Sequence, residues 1–278
     1  MLRAIAVTYQ AELVIDDGDM LLRRALPLEQ MEALGPFVFI DHYRHHSKRG
    51  IGDKPHPHAG IEVLSYLLEG GVEHRDSLGF RDRLGAGDAQ FIRAGRGILH
   101  AEQPLGGRHG LQLWTTLPPS LKLTEPSYAS FRAANIPEVE HPGASVRIIA
   151  GQVDGCEGPM KLASPTTLAH IHLEAATAIA LAVDDAQELG LYVLDGSLAT
   201  TDGAELGPGT LIVLTQGDQV SITAAHHGPV DVALVGGMRV EGTLLFSGPF
   251  VMDTPERLAQ TRRDFISGKM GTLDGVPF

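Results

Sequence analysis

The sequence predicts an all-β fold of two antiparallel β-barrel domains with one C-terminal helix, and three features carry that reading. Short runs of β-forming residues recur between glycines and prolines, of which the chain has 33 and 17. One β unit recurs in the second half, and a single helical pattern stands near the end. Short strands at regular spacing with glycine-bearing turns belong to sandwiches and barrels.

The strands follow in order as EVLSYLLEGG (62–71), DAQFIRAG (88–95), GLQLWTTLP (110–118), VRIIAG (146–151), GLYVLDGS (190–197) and TLIVLTQGD (210–218). YLLEGGVE from Tyr66 resembles YVLDGSLA from Tyr192, and LGAGDAQFI from Leu84 resembles LGPGTLIVL from Leu206, so two copies of one unit are expected. The boundary falls between them, giving an N-terminal domain over 1–135 and a C-terminal domain over 136–278. The helix is expected over Asp253 to Gly268. Asp253 or Thr254 caps it, Pro255 and Glu256 suit its first turn, and Gly268 ends it. Leu258, Phe265 and Ile266 are expected to share its buried face.

Composition narrows the function. The 278 residues are 43% hydrophobic and 20% charged, which is ordinary globular usage. No apolar run reaches the length of a membrane span, and the opening MLRAIAVTYQAELVIDDGD has no secretory pattern, so neither membrane insertion nor export is expected and the cytoplasm is the expected location. Cys156 is the one cysteine, which excludes an internal disulfide and a cysteine-built zinc site. A net charge of −12 opposes direct nucleic-acid binding. Arg75, Arg81, Arg83, Arg93 and Arg96 cluster in sequence, but acids are interleaved and the group reads as a solvated face. No heptad or long exposed apolar strand forces association, and a monomer is expected.

The chemistry lies in two short motifs. In GIGDKPHPHAGIE, His56 and His58 are two apart, so on a strand both rings project to one face. In GRGILHAEQP, His100 and Glu102 repeat that spacing. If the two strands are neighbours, three imidazoles and a carboxylate meet. That donor set suits Fe(II), Mn(II), Ni(II), Cu(II) or Zn(II) and disfavours calcium and magnesium, which take all-oxygen shells.

The chain also supplies controls. His170, His172 and Glu174 in AHIHLEAA alternate similarly, but no second His-x-Glu pair accompanies them. In the second copy the ligand positions correspond to Ala182, Asp184, Ile222 and Ala224, so that copy has lost its donors. His226 and His227 in AAHHGP are expected in a loop.

At these residues the sequence resembles the pirin family of the cupin superfamily, through FVFIDH (37–42), HPHAGIE (56–62), SYLLEGG (65–71), AGRGILHAE (94–102), LTEPSY (123–128), VRIIAGQVDG (146–155) and GPFVMDT (248–254). The resemblance implies a bicupin in which only the N-terminal barrel holds a metal, usually iron, on His56, His58, His100 and Glu102. It implies that Glu62, a ligand position in the wider cupin pattern, is not a ligand here but at most a partner of ligands. Ala59 and Ile61 depart from the Arg and Phe that pirins often carry beside the ligand strand, which bears on pocket shape.

Some pirins are similar in activity to quercetin 2,3-dioxygenases, which open a flavonol ring with dioxygen and release carbon monoxide. The resemblance therefore implies a small aromatic substrate and dioxygen. Glu102 is the candidate catalytic base, and Phe37, Phe39, Phe91 and Trp114 are candidate walls. Other pirins are partners of transcription factors or metabolic enzymes, and an iron-dependent regulatory protein with a protein partner is the alternative.

Overall fold

A computed structural model describes residues 1–46 and 52–273. The chain forms two compact units of antiparallel sheet, one built from residues 1–12, 23–37 and 134–239 and the other from 13–22, 38–133 and 240–278. These differ from the two contiguous halves expected. The reason is pairing at a sheet edge: the Ile5–Gln10 strand lies antiparallel on Thr210–Leu214, with Tyr9 opposite Leu211. Arg3 fastens it further, its guanidinium donating to the carbonyls of Gly217, Gln187, Asp184 and Thr215 at 2.7–3.1 Å. At the other end, residues 240–278 with the helix belong to the unit that carries the candidate ligands.

In the unit without candidate ligands, the sheet runs in the order Ile5–Gln10, Thr210–Leu214, Glu188–Asp195, Val230–Gly237, Thr166–Leu173, Ala144–Ala150, Glu138–His141. Alternate residues of these strands (Ile148, Ala169, Ile171, Leu191, Val193, Val232 and Leu234) point inward and form one apolar core. A second pair, Ala178–Ala182 on Gln219–Thr223, adds Leu181 and Ile222 to it.

The other large sheet runs in the order Ser127–Phe131, Ala89–Arg93, Ile61–Asp76, Ile98–Thr116, Phe37–His45, Met20–Leu26, Glu12–Asp16. The two long strands pair along almost their whole length, from Ile61 opposite Thr116 to Asp76 opposite His100. Two irregularities, at Leu67/Glu69 and Gly70/Val72, bend the ladder in its middle. The short strand His56–His58 lies on the other side of the Ile98 end. Each strand segment expected from the sequence overlaps an observed strand, and most run past its C-terminal end into the following turn.

The helix spans Pro255–Ile266, with the Thr254 hydroxyl accepting from the Arg257 N–H at 3.2 Å. Its inward face differs from the expected one. Leu258 packs against Phe250, Met252 and Met270, Thr261 is buried, and Phe265 meets the Phe250 ring edge-on. Ile266 is 83% exposed. At about 100° per residue it lies well round the helix from Thr261.

Candidate metal centre

Register brings the donors together. His56 pairs with His100 and His58 with Ile98 across one side of the Ile98–Thr116 strand, while Asp76 pairs with His100 and His74 with Glu102 across the other. Directly opposed residues project the same way, and so do residues two apart on a strand. His56, His58, His100, Glu102, His74 and Asp76 therefore share one face of three adjacent strands. The turn that follows His58 requires Gly60, whose φ is +75° and whose added Cβ would collide with the Val251 carbonyl.

The rings of His56 and His100 lie 4.3 Å apart between centroids, those of His58 and His100 4.9 Å, and those of His56 and His58 5.0 Å. One nitrogen from each of the three comes within 4.8 Å of the others. His56 Nδ1 is 2.8 Å from the Lys54 carbonyl, so it carries the proton and leaves Nε2 as the free lone pair. His58 and His100 are buried, and among the described residues neither nitrogen of either ring has a hydrogen-bond partner. Burial, followed by the neighbouring His56, holds the protonated form of both well below the ordinary imidazole range; the Pro249 carbonyl opposes this at His58 without reaching hydrogen-bond geometry. A buried polar atom without a partner costs about 1–3 kcal/mol. Neutral imidazoles with unused lone pairs, gathered on one face, fit a divalent transition metal.

Glu102 stands at the other side of His100, its Oε1 3.8 Å from His100 Nδ1. Its carboxylate accepts from Gln90 Nε2 at 2.5 Å and Arg108 Nη1 at 3.1 Å, and the Ser65 hydroxyl oxygen lies 3.3 Å away. Its oxygen groups within 4.8 Å with nitrogens of His74 and His100, rather than with His56 and His58. The four expected donors thus do not form one cluster: with His74 as a fifth residue they fall into two overlapping triplets that share His100, and both lie in this unit.

The residues around Glu102 escaped the sequence reading. Arg108 also donates to His45 Nε2 at 3.0 Å and lies 4.7 Å over the Tyr43 ring. Gln90 accepts from the Tyr128 hydroxyl at 3.3 Å, and Ser65 donates to Gln112 at 2.9 Å. His74 and Asp76 were missed too. The available signal was phase: Ser65, Gln90 and Gln112 are polar residues at inward positions of otherwise apolar alternating strands.

The other expected side chains separate. Glu62 is buried, but its carboxylate is taken by Arg93 at 2.8 Å and the Thr115 hydroxyl at 3.1 Å, on the face opposite to Ser65. Phe39 stacks on Trp114 at 4.1 Å, and Trp114 meets the His58 ring at 5.0 Å, so these two do flank the donors. Phe91 points to the face opposite Gln90, and Phe37 belongs to the other unit. Among the arginines, Arg75, Arg81 and Arg83 converge on Glu73; burial alone would raise its carboxyl, but their hydrogen bonds outweigh it and pull it down to about 2. Arg96 pairs with Glu125 at 2.8 Å.

His170 and His172 lie on the outer face of their strand, where both donate to one oxygen of Asp231, at 2.9 and 3.0 Å. Ile222 and Ala224 are buried in the apolar core of their unit. His226 and His227 sit in an exposed turn.

Comparison with known proteins agrees with this architecture. Residues 19–115 match the pirin family and residues 168–271 match the pirin C-terminal cupin domain. Pirin of Homo sapiens is 32% identical over 256 residues, 90% of this chain and 88% of that protein. The crystal structure of quercetin 2,3-dioxygenase from Acinetobacter baumannii superposes with a TM-score of 0.88 at 26% identity, covering 98% of this chain and 99% of that one. A bacterial pirin from Escherichia coli, crystallised in complex with nickel(II), shares the fold with a TM-score of 0.65 at 21% identity over 84% of this chain and 100% of that one. With two cupin-type domains and both family matches in sequence order, the chain belongs to the pirin family.

Proposed function

We propose that this protein is a metal-dependent dioxygenase acting on flavonols of the quercetin type or a related aromatic enol, with Fe(II) held by His56, His58, His100 and Glu102. The observation that carries this reading is the set of unpartnered nitrogens on His58 and His100, beside the stacked Phe39–Trp114 pair. Likeness to the Acinetobacter baumannii quercetin 2,3-dioxygenase over nearly the full length of both chains supports the substrate class. An iron(II) ion would supply Lewis-acid stabilisation of the substrate oxyanion and a route for electrons to dioxygen.

The protein's own groups divide the remaining work. His56, His58, His100 and Glu102 would hold the ion, with His56 oriented by the Lys54 carbonyl. Glu102 accepts the proton of the flavonol hydroxyl, and Gln90 and Arg108 keep its carboxylate in place while it does so. Phe39 and Trp114 offer a flat apolar wall on which an aromatic ring can stack.

The test is direct. The protein is loaded with Fe(II) under anaerobic conditions, quercetin and oxygen are added, and loss of flavonol absorbance is followed together with carbon monoxide release. Turnover that disappears in His56→Ala and Glu102→Ala is expected. No turnover at full metal loading would sink the enzymatic reading and leave the iron-dependent regulatory one.

A further inference from the structure

His74 is a fully buried imidazole for which the proposed reaction has no role. It lies directly across the ladder from Glu102, on the same face as the four candidate ligands. Its Nε2 is 3.1 Å from Oδ2 of Asp76, whose other oxygen accepts the N–H groups of Leu78 at 2.9 Å and Phe80 at 3.0 Å. Asp76 is thereby fixed by the turn, and as a carboxylate it can only accept, so Nε2 carries the proton. Nδ1 has no hydrogen-bond partner among the described residues. A second proton there would be buried without an acceptor, so Nδ1 presents a lone pair. The Tyr128 ring, stacked on His74 at 4.2 Å and 10° between planes, restricts rotation that could exchange the two nitrogens.

An imidazole whose one N–H is held by a carboxylate while the other nitrogen is free is the arrangement that metal-ligating histidines adopt. One nitrogen of His74 comes within 4.8 Å of donor atoms of His100 and Glu102. His100 belongs to this triplet and to that of His56 and His58.

We infer that His74 is a further ligand of the centre, so that one divalent ion can be held at either of two overlapping positions, His56–His58–His100 or His74–His100–Glu102. This rests on the metal-centre reading above but not on its substrate. The outer position includes half-buried His56, and every donor of the inner one is buried.

The experiment uses cobalt(II) added anaerobically to metal-free full-length protein, read by isothermal titration and by the visible ligand-field spectrum. Wild type is expected to bind one ion. The double variant His56→Ala/His58→Ala is expected to keep a stoichiometry of one, with lower affinity and an altered spectrum. Adding His74→Gln to it should abolish binding. Asp76→Asn in the same background keeps an acceptor for the turn but turns a donor towards Nε2, which moves the proton to Nδ1. It should weaken cobalt about 10- to 100-fold, and it carries the test should His74→Gln not fold, as judged by circular dichroism.

A double variant that is folded yet binds no cobalt would overturn the inference. So would one whose affinity and spectrum are the same with and without His74 or Asp76. Wild type that binds cobalt but fails with iron and quercetin removes only the enzymatic reading; wild type that binds no cobalt removes both.

Discussion

Glu102 and Arg108 form a buried ion pair at 3.1 Å, and their coupling makes the cost of losing each donor unequal. Glu102→Gln leaves the Arg108 charge in the interior without its carboxylate, and breaking a buried pair from one side costs about 3–5 kcal/mol. His58→Ala removes a ring whose nitrogens have no hydrogen bonds to lose. In urea unfolding of the metal-free protein, Glu102→Gln is therefore expected to be the more destabilising of the two, and on the proposed site both are expected to reduce metal affinity. A second residue-scale prediction concerns Lys122, whose buried ammonium donates to the carbonyls of Gly60 and Val251 and the Thr116 hydroxyl at 2.6–2.9 Å. Burial pushes this amine down from 10.5 to about 8. Between those values the unfolded chain keeps the proton and the folded one sheds it, so this group's contribution to stability rises with pH across that window. The difference in unfolding free energy between wild type and Lys122→Met should widen from pH 7 to pH 10; a gap independent of pH would contradict the burial of a charged amine. The sequence made His56, His58, His100 and Glu102 legible because two donors at a spacing of two leave a pattern. His74, Asp76 and Arg108 leave none, since a polar residue on a strand is the same letter whether it faces water or the interior.

At the scale of elements, the turn between the His56–His58 strand and the Ile61–Asp76 strand sets the position of His58. Gly60 sits there with φ +75°, its N–H donating to the Gly95 carbonyl at 2.8 Å and its carbonyl accepting from Lys122 and Leu117. Gly60→Ala adds a Cβ against the Val251 carbonyl in a backbone region that costs about 1–3 kcal/mol for other residues. The variant should lose stability by at least that amount, measured by chemical denaturation, and should bind cobalt more weakly than wild type because the turn carries His58 with it. Strands were the most legible elements in their existence, since β-forming runs between glycines mark them, but not in their ends: the run at 62–71 belongs to a strand that continues to Asp76, and the run at 110–118 to one that begins at Ile98. The helix was legible in its cap and its length but not in its face: Phe250 and Met270 lie far from it in sequence, and they select Leu258, Thr261 and Phe265 over Ile266.

At the scale of the whole molecule, the repeat predicts two similar barrels, whereas the chain trades segments between its two units. Edge pairing of Ile5–Gln10 on Thr210–Leu214 is a long-range event with no local sequence mark, which is why a boundary drawn between repeats misses it. The division has a measurable consequence because the donors and the single tryptophan, Trp114, lie in one unit. The Trp114 ring is 5.0 Å from that of His58, so its fluorescence should be quenched by a paramagnetic ion such as cobalt(II) and should report unfolding of that unit alone. A ligand that binds only the native state at about 1,000 times its dissociation constant adds about 4 kcal/mol. With cobalt present, the fluorescence-detected midpoint in urea should therefore move upward. Far-UV circular dichroism, which sees the sheets of both units, should then separate into an early phase that metal leaves in place and a late phase that follows Trp114. A single dichroism transition that shifts as far as the fluorescence would mean that the two units unfold as one.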